Sequence, residues 1–237
     1  MIKLSSFYKS FSPYIEAVLN FIYPPFCIIC DVRLDSGSEL ICEQCWNCLP
    51  RINHSIENKL NISNKNSKIP EVSCVISVWE YSDEVQKIIH EMKYFKKQSL
   101  AGLMGDEMAK LVLADRVYSS ADLIIPVPLH KTRLRERGFN QSILLSNRIA
   151  TISKIPVERN VLKRIRYTKP QSKLGAVERE KNVQGAFEVT ESNSLIDKQV
   201  ILVDDVLTTG STIRACAKVL IQAGVSKILA ITAAKAI

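Results

Sequence analysis

The stretch that most limits what this chain can become is ILVDDVLTTGST, Ile201–Thr212. A β-branched run, which favours an extended pleated backbone, ends in two adjacent carboxylates. It then passes at once through a hydroxyl-rich turn around one glycine. A strand that turns directly into a helix belongs to β–α alternation, and sheets built that way bind ligands at the carboxyl ends of their strands. Backbone N–H groups of Val206–Thr212 would converge on the positive end of the following helix, a place for a phosphate. Gly210 permits close approach without a Cβ, while Thr208, Thr209, Ser211 and Thr212 add hydroxyl donors. The lysine and spacing of GxxxxGK[ST] are absent, which excludes the P-loop of NTPases. Asp204 and Asp205 could hold a metal, or they could accept hydrogen bonds from vicinal sugar hydroxyls. A phosphate at the turn beside a diol at the acids describes a ribose 5-phosphate group.

The rest of the chain from Glu71 onward alternates in the same way. CVISVW (74–79) predicts a strand, and DEVQKIIHEMKYF (83–95) a helix with acids in its first turn. SLAGLMGDEMAKLVLA (99–114) predicts a second helix capped by Ser99, and ADLIIPVPL (121–129) a buried strand running into a proline-locked turn. FNQSILLSNRIATIS (139–153) reads as helix and ILVDD as strand. STIRACAKVLIQAG reads as a helix ending at Gly224, and SKILAITAA as the last strand. The implied class is α/β: a parallel or mostly parallel sheet with helices on both faces. Loops 126–137 and 204–211 both fall at strand carboxyl ends. Of the three histidines only His130 lies near a predicted site. Trp79, Phe139 and Phe187 are expected in the core, and Lys93 and Tyr94 on a helix surface.

Five of the seven cysteines crowd into the pattern C-x2-C-x11-C-x2-C, Cys27, Cys30, Cys42 and Cys45, with Cys48 as a spare. Two such knuckles facing each other make a tetrahedral thiolate site, and soft sulfur ligands at that geometry favour Zn2+. A segment this short has too small a core to stand without a staple. A redox pair, an iron–sulfur site or ordinary reduced thiols are the competing readings. Neither knuckle has a glycine after its second cysteine, since Asp31 and Trp46 stand there, and Cys48 could replace Cys45. The expected organisation is an N-terminal segment and zinc ribbon over 1–50, a linker over 51–70 and one α/β domain over 71–237. The linker stretch RINHSIENKLNISNKNSKIP is rich in Asn, Ser and Lys without apolar period, and its His54 reads as a surface residue.

The 237 residues are 46% hydrophobic and 24% charged, the composition of a folded protein. The net charge of +8 is concentrated: residues 159–181 carry eight basic side chains against two acids, and 131–137 four against one. Such patches suit a phosphorylated small molecule or a nucleic-acid backbone; a merely solvated surface is the alternative. No secretory signal and no apolar run long enough to span a membrane is present, so the expected location is cytoplasmic.

ILVDDVLTTGST resembles the signature of type I phosphoribosyltransferases, which bind phosphoribosyl pyrophosphate (PRPP). FIYPPFCIIC, IIPVPLHKTRLRERGFNQS and KPQSKLGAVEREKNVQGAF extend the resemblance to the ComF/GntX family, over nearly the whole chain apart from the first dozen residues and the linker. These are phosphoribosyltransferase-like proteins with an N-terminal zinc ribbon, several of which serve DNA uptake in natural competence. The resemblance implies that Asp204 and Asp205 hold the ribose 2′ and 3′ hydroxyls. Thr208, Thr209, Gly210, Ser211 and Thr212 would cradle the 5-phosphate, with Val206 and Leu207 also in the PRPP-binding set. Val127, Pro128, Leu129, His130 and Arg133 fall in the pyrophosphate loop, with Arg135, Arg137 and Asn140 of RxRGFNQ beside it. Gln171 and Arg179 match the mobile loop that closes over PRPP, and the family's usual Lys-aromatic pair falls at Lys93 and Tyr94. Asp204, Asp205 and Arg179 would be the catalytic set, with Mg2+ arriving on PRPP.

Two function classes follow. A phosphoribosyltransferase, for competence or for nucleobase salvage, would work by positioning and charge stabilisation, consistent with the lack of a Ser/His/Asp constellation. A nucleic-acid-binding competence factor would instead keep the PRPP pocket and contact single-stranded DNA. Lys131, Arg135, Arg164, Arg166, Lys169 and Lys173 would then track the phosphates, with Tyr94, Phe95, Phe139 and Tyr167 stacking on bases. The competence role also implies a helicase as partner. The acceptor substrate is not legible, because the zinc ribbon takes the place of the segment that selects it.

Overall fold

Continuous apolar runs of Ile, Val, Leu and Ala, buried on both faces, build the central sheet in the computed structural model. It describes residues 24–34, 40–53, 69, 71–94, 97–167, 183–190 and 193–236. These belong to two compact units, Met1–Leu49 and Pro50–Ile237.

In the smaller unit, the turn through Cys27 and Cys30 is closed by Cys27 N–H to Val32 O at 2.8 Å and Asp31 N–H to Cys27 O at 3.0 Å. Asp31 adopts φ +57°, the left-handed conformation that glycine would otherwise supply and that Asp tolerates better than most residues. The second knuckle turns by a short helix instead, α1 (Glu43–Asn47), whose N-cap is Cys42. Trp46 lies inside that helix and needs no glycine.

The larger unit runs β1 (Cys74–Glu80), α2 (Asp83–Tyr94), α3 (Ser99–Ala114), α4 (Arg116–Ser119), β2 (Leu123–Pro126), α5 (Lys131–Arg137) and α6 (Gln141–Ser153). The hairpin β3 (Leu162–Arg164) and β4 (Phe187–Val189) follows, then β5 (Gln199–Leu207), α7 (Ser211–Gln222) and β6 (Lys227–Lys235). The four long strands form one sheet in the order β1-β6-β5-β2, every pair parallel. Arg51 bridges Trp79 antiparallel at the outer edge of β1, with Ile52 N–H to Val78 O at 3.0 Å.

Alternation divides the strand residues between two faces. Ile125, Val200, Leu202, Ile228 and Ala230 face Ile213, Cys216, Ala217 and Leu220 of α7, with Leu162 and Phe187 of the hairpin in the same buried cluster. Ile124, Ile201, Val203, Leu229 and Ile231, all shielded from solvent, point the other way, where α3 and α6 pack. Gly105 lets those two helices approach, since a Cβ there would lie 2.7 Å from Cβ of Arg148. Trp79, Phe139 and Phe187 are core residues, so Phe139 has no face to offer a nucleic-acid base.

Helix α3 begins at Ser99 itself. Gln98 occupies the N-cap position with helical φ and ψ and makes no side-chain cap bond, so Ser99 is not the cap the sequence suggested. Gly224, at φ +92°, lies beyond the end of α7. No helix among the described residues is long and apolar enough to cross a membrane.

Candidate functional site

Register opens the site. The β2–β5 pairing stops at Pro126 opposite Val203, with Val127 N–H donating to Val203 O at 2.9 Å. Strand β5 runs on through Asp204–Leu207 against β6 alone. Beyond Val127 the chain leaves the sheet, and the uncovered edge beside Asp204 and Asp205 faces a cavity of about 750 Å³. The acids therefore lie in the strand, and the turn proper is Thr208–Gly210. The basic stretch from Lys131 is likewise helix α5, which leaves only residues 127–130 as the loop after β2.

His130 caps α5: its Nδ1 accepts from Thr132 N–H at 3.2 Å. Gly138, at φ +81°, ends that helix. The next helix follows at once, capped by Asn140, whose Oδ1 accepts from Ser142 N–H at 3.0 Å and whose Nδ2 donates to Val127 O at 3.0 Å.

The cavity brings together Val127, Pro128, Leu129, His130, Arg133 and Arg137 from one strand end and Asp204, Asp205, Val206, Thr208 and Thr212 from the other. Leu207 turns into the core, and Ser211 is buried, its hydroxyl 3.0 Å from that of Thr209. Gly210, at φ +75°, is the N-cap of α7, and a Cβ there would collide with the side chain of Ile69. Gln171, Arg179, Lys169, Lys173, Phe95 and His54 lie outside the described residues.

Oδ1 of Asp204 accepts from the Ser142 hydroxyl at 3.1 Å and from Asp205 N–H at 2.9 Å. Oδ2 of Asp205 pairs with Lys93 Nζ at 2.7 Å. Burial pushes the Asp204 carboxyl up to about 7, and the charge of Asp205 adds to it, against the Asp205 N–H, Lys93 and Ser142, which pull it down. Helix α2 thus forms one wall of the cavity: Lys93, Tyr94 and His90 line it, so Lys93 is not a surface residue and His130 is not the only histidine there. Ser142 was missed in the sequence, and for Lys93 the local pattern favoured a surface although the family's Lys-aromatic pair falls there, both for one reason. Neither is near the acids along the chain, and only packing brings them there.

Guanidiniums and tyrosines share the rim. Arg137 lies 5.3 Å from the Tyr94 ring centre and bonds Gln141 Oε1 at 2.9 Å. Arg133 lies 5.6 Å from the Tyr167 ring and pairs with Glu136 at 2.9 Å. Arg164 sits in the cavity wall over the Phe187 ring, and burial lowers its pKa. Lys131, Arg135 and Arg166 are exposed, the last bonding Gln184 O.

In the smaller unit the sulfurs of Cys27, Cys30, Cys42 and Cys45 all lie within 4.8 Å of one another, with Cys30 and Cys42 3.8 Å apart. A Zn–S tetrahedron has edges of roughly 3.8 Å, so the cluster fits a structural zinc. Cys48 is exposed and outside it. Burial raises the Cys27 thiol, but backbone N–H groups of Cys30, Cys42 and Ile29 outweigh this and lower it to about 6, whereas burial and the neighbouring thiols raise Cys45.

Residues 141–236 match the phosphoribosyl transferase domain, and residues 18–57 the double zinc ribbon domain. Over 108 residues the chain is 42% identical to competence protein F of Haemophilus influenzae, covering 45% of this chain and 47% of that one. This match therefore spans about half the length of that relative. DNA utilization protein YhgH of Escherichia coli K12 is 26% identical over 217 residues, 86% of this chain and 94% of its own. Competence protein ComFC of Bacillus subtilis is 30% identical over 149 residues, 62% of this chain and 58% of its own.

Proposed function

Because the chain belongs to the ComF/GntX family, in which a phosphoribosyltransferase domain follows an N-terminal double zinc ribbon, we propose that its cavity binds PRPP and that the protein serves DNA uptake. The carrying observation is that an acid pair, the α7 N-terminus and the 127–130 turn all border one cavity. Asp204 and Asp205 accept the ribose hydroxyls. The turn Thr208–Gly210 and Thr212 hold the 5-phosphate at the positive end of α7. The pyrophosphate lies toward residues 127–130 and the guanidiniums of Arg133 and Arg137. Mg2+ bound with PRPP would supply charge that stabilises the departing pyrophosphate.

With an acceptor in place, the bond from C1 to the pyrophosphate oxygen breaks with its electron pair leaving on the pyrophosphate, the acceptor's lone pair forms the new bond to C1, and the proton of that acceptor atom passes to the pyrophosphate or to water. The chain's part is to orient both partners and to hold the charge that develops. Titration calorimetry of the full chain with PRPP and Mg2+ tests the binding. Heat is expected for the wild type and not for the double variant Asp204→Asn/Asp205→Asn; no heat from either protein overturns it. A pyrophosphate-release assay across nucleobases and single-stranded DNA identifies the acceptor, and turnover with a free base would favour salvage.

Contact with single-stranded DNA is a second part of the reading, supported by Tyr94 and Tyr167, which are exposed at 57% and 47% beside Arg137 and Arg133. A base can stack on such a ring while phosphates meet the guanidiniums. A competence helicase would deliver the strand. Binding of labelled strands should weaken with salt and with Arg135→Glu, and indifference to both removes the DNA contact.

A further inference from the structure

Each acid of the pair has one oxygen engaged inside the protein. Ser142 Oγ and Asp205 N–H take Oδ1 of Asp204, and Lys93 takes Oδ2 of Asp205. Among the described residues, Oδ2 of Asp204 and Oδ1 of Asp205 make no hydrogen bond or ion pair. A vicinal diol presents two neighbouring O–H donors, and one open oxygen on each of two neighbouring acids accepts them one to one.

What holds Asp204 in that orientation lies in the segment Asn140–Gln141–Ser142, where α6 begins. An asparagine N-cap needs only its Oδ1, which here accepts from Ser142 N–H at 3.0 Å. Asn140 also spends its amide, Nδ2 donating to Val127 O at 3.0 Å, at the residue where the chain leaves β2 for the 127–130 turn. A serine near a helix start ordinarily bonds locally or to water. Ser142 instead reaches across to β5 and donates to Asp204. Both side chains are buried, at 5% and 4% exposure.

We propose that Asn140 and Ser142 are positioning residues of this site: Ser142 sets which oxygen of Asp204 faces the sugar, and Asn140 ties that acid's support to the turn that receives the pyrophosphate. The proposal rests on the reading of the cavity as a PRPP site, but its first readout does not need the ligand. Loss of the Ser142 hydroxyl removes a bond to the ionised form of Asp204, so that carboxyl should titrate at higher pH.

The experiment uses the full chain with ¹³C-labelled aspartate. Carboxyl shifts are followed through pH for the wild type, Ser142→Ala and Ser142→Thr, alongside calorimetry with PRPP and Mg2+. Ser142→Ala should raise the Asp204 midpoint and weaken PRPP binding by about tenfold or more, the effect of a lost bond to a charged group. Ser142→Thr, which keeps the hydroxyl, should restore both. Asn140→Ser keeps a capping oxygen and removes the amide donor, and should weaken PRPP binding. An unmoved midpoint in Ser142→Ala overturns the role of Ser142 whether or not PRPP binds. Full PRPP affinity in Asn140→Ser overturns that of Asn140. A wild type that ignores PRPP, with a midpoint that moves in Ser142→Ala, supports the positioning and overturns the PRPP reading.

Discussion

Lys93 Nζ stands 2.7 Å from Oδ2 of Asp205, with the two side chains only 20% and 13% exposed. Two adjacent carboxylates at a sheet edge repel each other, and the cation from α2 offsets that repulsion. It joins the helix wall to the acid pair, so α2 belongs to the site as much as β5 does.

Removing the cation should be felt at the acids. Lys93 is among the groups that pull the Asp204 carboxyl down, so Lys93→Met should leave Asp204 protonated to higher pH. PRPP binding should weaken near pH 7 and recover as pH rises, and calorimetry between about pH 6 and 9 reads this. Equal affinity at every pH would mean that Lys93 does not govern the pair.

The Asp204 carboxyl also makes stability depend on pH. Its folded pKa is about 7 against an ordinary 3.8, so between these values the native state holds a proton that the unfolded state has lost. Its contribution therefore falls as pH rises from about 4 to about 7 and is flat above. The total is at most ~4 kcal/mol at ~1.4 kcal/mol per tenfold. Denaturant unfolding should show Asp204→Asn gaining on the wild type through that window, and parallel curves would exclude it.

Gly210→Ala should be costly. The position needs φ +75° and has the Ile69 side chain where a Cβ would go. Left-handed strain and collision together are expected to cost about 2–3 kcal/mol in chemical denaturation. The double variant with Ile69→Ala should recover only the part due to collision.

Zinc content should follow the sulfur geometry. One ion per chain is expected, lost in Cys45→Ser and kept in Cys48→Ser, because the cluster is formed by Cys27, Cys30, Cys42 and Cys45. A colorimetric zinc assay on protein purified under reducing conditions distinguishes the two variants, and retention in Cys45→Ser would exclude Cys45 as a ligand.

Much of this was legible along the chain because the signals are local. The parallel α/β order follows from alternating apolar periods, and the range of α3 agrees with its pattern from Ser99 to Ala114. The turn after β5 and the four cysteines declare themselves by spacing. Local reading erred where a neighbour in space overrides it: Lys93 looked like surface on an amphipathic helix, and the stretch after His130 looked like loop because its charges hide a short capped helix.

The sequence by itself determined which chemical groups are available and in what order the elements follow, since both depend on residues a few positions apart. Only the tertiary structure decided how those groups meet. The register that ends β2 at Pro126 uncovers the edge of β5 at Asp204. The packing of α2 and α6 then brings Lys93 to Asp205 and Ser142 to Asp204. Those contacts join residues far apart in the chain, and no local propensity encodes them; they exist because burying the apolar faces of the helices leaves these polar side chains one place to go.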